Sequence, residues 1–189
     1  MPQTSKLMRG AKNIHFAPFK NGSFGTPVKI EFAKKVECKF NYESSQEWAD
    51  DRIVDSDYTY NGGEGVATVL GLTSEEQVLL FGNEKAKGGV AVNSGDTSPE
   101  GAFLFERGKK GGAKRLYVVY ACQCSPVDIT ATSIEDGKKE TDPVEINFTI
   151  GELDDGLVYF YIDSDASDAE QAQIDAWFDE VQMPKPTIA

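Results

Sequence analysis

The sequence predicts a mainly β chain, an antiparallel β-sandwich or barrel with one short internal helix and a C-terminal helix. Three observations predict it. Apolar, β-branched and aromatic residues recur at alternate positions in short runs. Polar turns such as Glu135-Asp-Gly-Lys-Lys and Asp154-Asp-Gly separate those runs at regular spacing. That regular spacing suggests antiparallel pairing instead of βαβ units, and helix-start signatures interrupt the pattern twice.

In chain order, strands are expected over Asn13–Ala17, Val28–Phe32, Val36–Tyr42, Arg52–Tyr60, Gly65–Leu72 and Gly89–Asn93. The series continues over Ala102–Glu106, Arg115–Cys124, Val127–Thr132, Val144–Ile150 and Val158–Ile162. The first helix starts at the capping box Thr73-Ser-Glu-Glu76, whose hydroxyl and carboxylate each satisfy a first-turn N–H, and stops at Gly82. A second box, Ser167-Asp-Ala-Glu170, precedes Ile174, Trp177, Phe178 and Val181 at i, i+3, i+4, i+7, and Pro184 ends the run. That face is expected to cover the sheets, with Asp168, Glu170, Asp175, Asp179 and Glu180 in solvent.

Long loops are expected over Asn41–Asp51, Gly82–Gly101 and Gly108–Lys114. The first holds Tyr42 and Trp48 among polar and acidic residues, and an exposed aromatic needs cover. Two covers stand open: a partner surface, or the chain's own body. The third, Gly-Lys-Lys-Gly-Gly-Ala-Lys, reads as a solvated hairpin tip.

At 189 residues, with 40% apolar and 11% aromatic content, the chain supports one buried core and is not disordered. Its formal charge of -12 disfavours sequence-specific nucleic-acid reading and anionic membranes. Charge is also unevenly placed. Residues 1–40 carry eight Lys/Arg against two acids, and residues 128–189 carry three against sixteen. Such ends attract each other either between copies or within one subunit. No segment has the length of a signal-peptide core or a membrane span, so the expected setting is the cytosol, with no membrane.

The residues that carry chemistry are sparse. Cys38, Cys122 and Cys124 form no CxxC pair and read as free thiols, Cys122 and Cys124 pointing to one face of a strand. His15 is the one histidine and has no evident partner, so it reads as structural. There is no Gly-x-Ser-x-Gly elbow, P-loop or dinucleotide turn. Asp163, Asp165 and Ser167 imitate the start of a calcium loop, but Asp168 and Ile174 stand where its Gly and bidentate Glu belong. Asp50-Asp51 and Asp154-Asp155 are sequence neighbours that diverge in extended chain. No enzyme activity, cofactor or metal is expected.

Six segments in order carry a resemblance: Asn13-Ile-His-Phe-Ala-Pro-Phe, Gly25-Thr-Pro-Val-Lys-Ile, Trp48-Ala-Asp-Asp-Arg52, Ala102-Phe-Leu-Phe-Glu106, Tyr117-Val-Val-Tyr-Ala-Cys and Trp177-Phe-Asp-Glu-Val-Gln-Met-Pro184. Together, over residues 10 to 184, they resemble the major tail protein family of long-tailed phages of Gram-positive bacteria. In that family Tyr usually precedes Ala-Asp-Asp, where this chain has Trp48. The resemblance implies a tail-tube fold over 1–189 as a single domain, with an N-terminal arm at 1–10, a long stacking loop at 41–52 and a C-terminal helix at 167–183. It further implies rings of six stacking into a hollow tube around a tape-measure protein, with tail terminator and distal tail proteins as partners and DNA passing through. The implied location is the virion tail, assembled in the host cytoplasm. The expected contact residues are Tyr42, Trp48, Asp50, Asp51 and Arg52. The rival expectation is an immunoglobulin-like or lectin-like surface-binding module, which β composition and loop aromatics support equally.

Overall fold

The computed structural model describes residues 6–131 and 142–185. In chain order the elements are β1 (Met8–Lys20), β2 (Ser23–Phe24), β3 (Val28–Lys29), β4 (Ala33–Ala49), β5 (Arg52–Val69), α1 (Ser74–Phe81) and β6 (Glu84–Ala86). There follow β7 (Gly89–Ala91), β8 (Glu100–Lys109), β9 (Lys114–Cys124), β10 (Val144–Ile150), β11 (Tyr159–Asp163) and α2 (Gln171–Asp175). All but β6 and β7 belong to one antiparallel sheet of order β2-β1-β8-β9-β10-β5-β4, with β3 on β1 and β11 on β9. The chain is thus mainly β with two short helices, as its sequence predicts. The sheet curls until β1 packs near β4, but among the described residues these strands share no ladder, so no closed barrel forms.

The centre of the sheet is buried on both faces because its strands are apolar at consecutive positions. In β8, Phe103 and Phe105 enter one cluster with Phe16, Val119 and Phe148. Ala102 and Leu104 enter a second cluster on the other face with Leu116, Val118, Tyr120 and Trp177. Each large side chain buried this way contributes about 1.5–3 kcal/mol. Within β9, Ala121 takes φ 46° where the register jumps from Gly101↔Cys122 to Phe103↔Val119. This bulge lets β9 change partners, from β11 along its first half to β10 at Cys122–Cys124. Cys122 and Cys124 both turn into the first cluster, on one face as alternation predicts.

α1 forms as its capping box predicts. Glu76 N–H donates to Thr73 Oγ1 at 3.2 Å, Thr73 N–H donates to Glu76 Oε2 at 2.7 Å, and Gly82 closes the helix at φ 68°. The second box does not form. α2 has five residues, starts at Glu170 with no side-chain cap, and passes into turns after Asp175 instead of running over 167–183. The Glu170 carboxylate pairs with Lys185, which removes it from the N3 role the box requires. Ile174 and Trp177 are nevertheless buried against the sheet, and the five predicted acids are exposed.

Other boundaries also move. Arg52–Tyr60 and Gly65–Leu72 merge into one continuous strand, β5, which ends at Val69, is turned at its middle by Gly62 at φ 74° and is thinned at Gly65, where a Cβ would meet the Phe148 ring at 2.1 Å. Met8–Gly10, expected in an N-terminal arm, belong to β1, and residues 1–5 of that arm lie outside the described residues. Residues 127–131 form no strand: Ser125 N–H still donates to the Asn147 carbonyl at 2.8 Å, but Pro126 has no N–H with which to continue the pairing; Thr132 and the 135–139 turn lie outside the described residues. The Gly82–Gly101 loop contains the β6–β7 hairpin and is pinned by Asp96, which accepts from Asn83 Nδ2 at 2.8 Å and Asn93 N–H at 2.9 Å.

The largest correction concerns 41–52. It is not a loop but the outer half of the β4–β5 hairpin, paired from Tyr42↔Tyr60 to Ala49↔Arg52. Asp50 and Asp51 take φ 50° and 58°, which is the two-residue turn whose twist suits antiparallel strands.

Candidate interaction surface

Residues 42–59 project from the body as a two-stranded arm in which every residue is exposed. A two-stranded ribbon has no face to bury, so side-chain chemistry follows register alone. Directly paired residues share a face. Tyr42↔Tyr60, Ser44↔Tyr58 and Gln46↔Ser56 put three tyrosines and small polar groups on one face. Glu43↔Thr59, Ser45↔Asp57 and Glu47↔Asp55 put four acids on the other. Near the tip the register jumps between Glu47↔Asp55 and Trp48↔Ile53, leaving Val54 as the extra residue. Strand alternation places Trp48 on the tyrosine side.

All five residues expected to make contacts therefore lie on this arm. Trp48, Asp50, Asp51 and Arg52 meet at the tip, whereas Tyr42 stands at the base. Trp48 is 65% exposed, so it does not fold back on its own body. Sequence reading missed Tyr58, 69% exposed, with Ile53 and Val54. It also missed the acids Glu43, Glu47, Asp55 and Asp57. The spacing of Asp55, Asp57 and Tyr58, Tyr60 was the available signal for two unlike faces. Glu47 and Asp55 stand directly opposite, a repulsive pair.

The base of the arm is held by Tyr60. Its hydroxyl donates to the Ile150 carbonyl at 2.8 Å, its ring lies 5.5 Å from that of Tyr42, and Asn61 donates to Glu43. Burial pushes the Tyr60 phenol up to about 12, so it remains a donor at neutral pH.

A second feature lies where the sheet fails to close. Between β1 and β4 a cleft of about 860 Å³ opens, with Gly10 and Ala11 on the β1 side. Phe40, Phe105, Tyr117 and Tyr159 line it, as do Lys34 and Arg107. Phe40 stacks on Tyr159 at 4.8 Å and Phe105 on Tyr117 at 5.0 Å, which makes an aromatic floor. Lys35 and Lys39 add charge, set against Glu37, which Lys35 already holds at 2.8 Å, and Glu64. Cys38 also reaches the cleft, with its thiol pushed up to about 12 by burial, so it is a poor nucleophile.

The remaining candidates serve the fold. The imidazole of His15 stacks on Phe178 at 4.6 Å, and its Nδ1 lies 2.9 Å from the Asn13 carbonyl oxygen; burial lowers its pKa. Asp163 and Asp165, spaced like calcium ligands, instead hold the Lys109 ammonium at 2.9 and 2.7 Å, and Asp163 takes two hydrogen bonds from Arg115 at 2.6 and 2.7 Å. Burial alone would push the Lys109 ammonium down, but these bonds outweigh it and leave it above its ordinary value. Asp154 and Asp155 form a turn, where Asp155 accepts from Leu157 N–H at 3.1 Å.

No family model matches the chain, and no curated protein matches it. Among solved structures, one described as "Cryo-EM structure of the anti-feeding prophage cap (AFP tube terminating cap)" is similar over 79% of this chain and 87% of that one. The identity is 7% and the TM-score 0.43, a likeness that carries no argument about function.

Proposed function

We propose that the chain is a structural subunit of a phage tail tube, which polymerises as stacked rings of six into a hollow channel for DNA. The observation that carries this reading is an unfinished border. β4 runs for 17 residues with β5 on one side and, among the described residues, no strand on the other, and its outer half leads into an arm exposed on both faces. An unpaired edge of that length templates strand addition, and exposed aromatics such as Trp48 and Tyr58 need a covering surface. Identical neighbours supply both in a closed ring. The six ordered segments quoted above add the family resemblance, from which the ring size, the tape-measure protein, the terminator and distal tail partners, and assembly in the host cytoplasm follow. Net negative charge suits a conduit, since carboxylates repel phosphate where a basic wall would hold it. In this reading the chain performs no chemical turnover.

Negative-stain electron microscopy of the concentrated protein tests the reading. Rings or tubes are expected. Particles that stay monomeric at every concentration and bind glycans would replace it with the surface-binding module.

A further inference from the structure

The arm and the cleft are complementary, and we infer that the arm tip of one copy docks into the β1–β4 cleft of another. This rests on the proposal that the chain self-assembles, and it names the two surfaces that meet. The tip offers an exposed indole, Trp48, flanked by Glu47, Asp50 and Asp51. Asp50 and Asp51 have no ion-pair partner among the described residues. The cleft offers the converse, a floor of stacked aromatic rings lined also by the cations Lys34 and Arg107, which have no ion-pair partner among the described residues. An aromatic anchor entering an aromatic-lined pocket, ringed by opposite charges, is the arrangement that concentrates binding energy in few residues. The whole arm carries six acids and one arginine, so its field steers it toward such ground. The occupant is a second copy, because the same chain's arm is exposed over its full length and does not fill its own cleft.

Charge exchange tests the docking. Sedimentation velocity measures self-association of four proteins: wild type, Asp50→Lys with Asp51→Lys, Lys34→Asp with Arg107→Asp, and the combination of all four changes. Either pair alone should weaken association more than about tenfold, and the combination should restore it to within about threefold of wild type. A combination no stronger than its parents, or a cleft pair that associates like wild type, overturns the docking while leaving self-assembly standing. A wild type that never associates overturns the assembly proposal itself. If the cleft pair melts at room temperature, Lys34→Asp alone, at an exposed position, replaces it in the same comparison.

Discussion

The β8–β9 hairpin and the outer half of the β4–β5 hairpin share one backbone plan and almost nothing else. Both are antiparallel pairs closed by a short turn. Phe103, Leu104, Val118 and Val119 are covered on two faces, whereas Glu43, Gln46, Asp55 and Tyr58 are covered on none. The ladder therefore does not require burial once a compatible turn and cross-strand contacts fix register, but such contacts are worth only about 0.2–1 kcal/mol each. Stability accumulates in the first hairpin. The second is free to spend its side chains on surface chemistry.

Substitutions in the two regions should separate these roles, and the largest effect is expected in the body. Trp177 is fully buried, and its Nε1–H points at the Tyr117 carbonyl at 3.3 Å; Trp177→Ala should lower unfolding free energy in urea by about 3–5 kcal/mol. Trp48→Ala should change it by no more than about 0.5 kcal/mol, and equal losses would erase the distinction.

Next comes Asp163→Asn, expected to cost about 1–3 kcal/mol at neutral pH, since the Lys109 side chain is 1% exposed and loses one of its two carboxylates. The Arg115 hydrogen bonds, resisted by burial and helped by Lys109, hold the Asp163 carboxyl below its ordinary value of 3.8. A depressed native pKa means the unfolded chain takes the proton first. The contribution is full above 3.8 and drains away as pH falls through the native value. Melting curves of wild type and variant should converge over that acid range; a constant gap would show that the network acts through packing instead.

At the junction of the two regions, Tyr60→Phe removes one hydrogen bond to Ile150 and should cost about 0.5–1.5 kcal/mol. An unchanged midpoint would mean that the arm base is held by ring packing alone. The smallest effect on stability is expected from replacing residues 45–57 with Asn-Gly between the paired Ser44 and Tyr58, within about 0.5 kcal/mol. The same replacement should eliminate polymers in the microscope. Normal tubes would show that stacking lies elsewhere.

The sequence disclosed the body well and the arm poorly, for a physical reason. Runs such as Ala102-Phe-Leu-Phe and Tyr117-Val-Val-Tyr announce strands because burial demands apolar residues. Thr73 and Glu76 announce a helix because the cap is local chemistry. Ser44-Ser-Gln-Glu-Trp carries no such demand, so a strand exposed on both faces reads like a loop. Its residues of interest, Tyr42, Trp48, Asp50, Asp51 and Arg52, could be chosen by composition, but their division into faces required register. The cleft was hidden for a different reason: Phe40, Arg107 and Tyr159 come from three separate strands, and only the curl of the sheet brings them together.

Carrying the acids on a protruding rod gives the subunit a front and a flank that behave differently toward copies of itself. Two fronts repel while their bodies are still apart, because like charges act over the Debye distance of about 8 Å in physiological salt. A front approaching a basic flank meets no such barrier. In the assembly proposed above, head-on encounters would be turned away, giving growth a built-in direction even before any ring is complete.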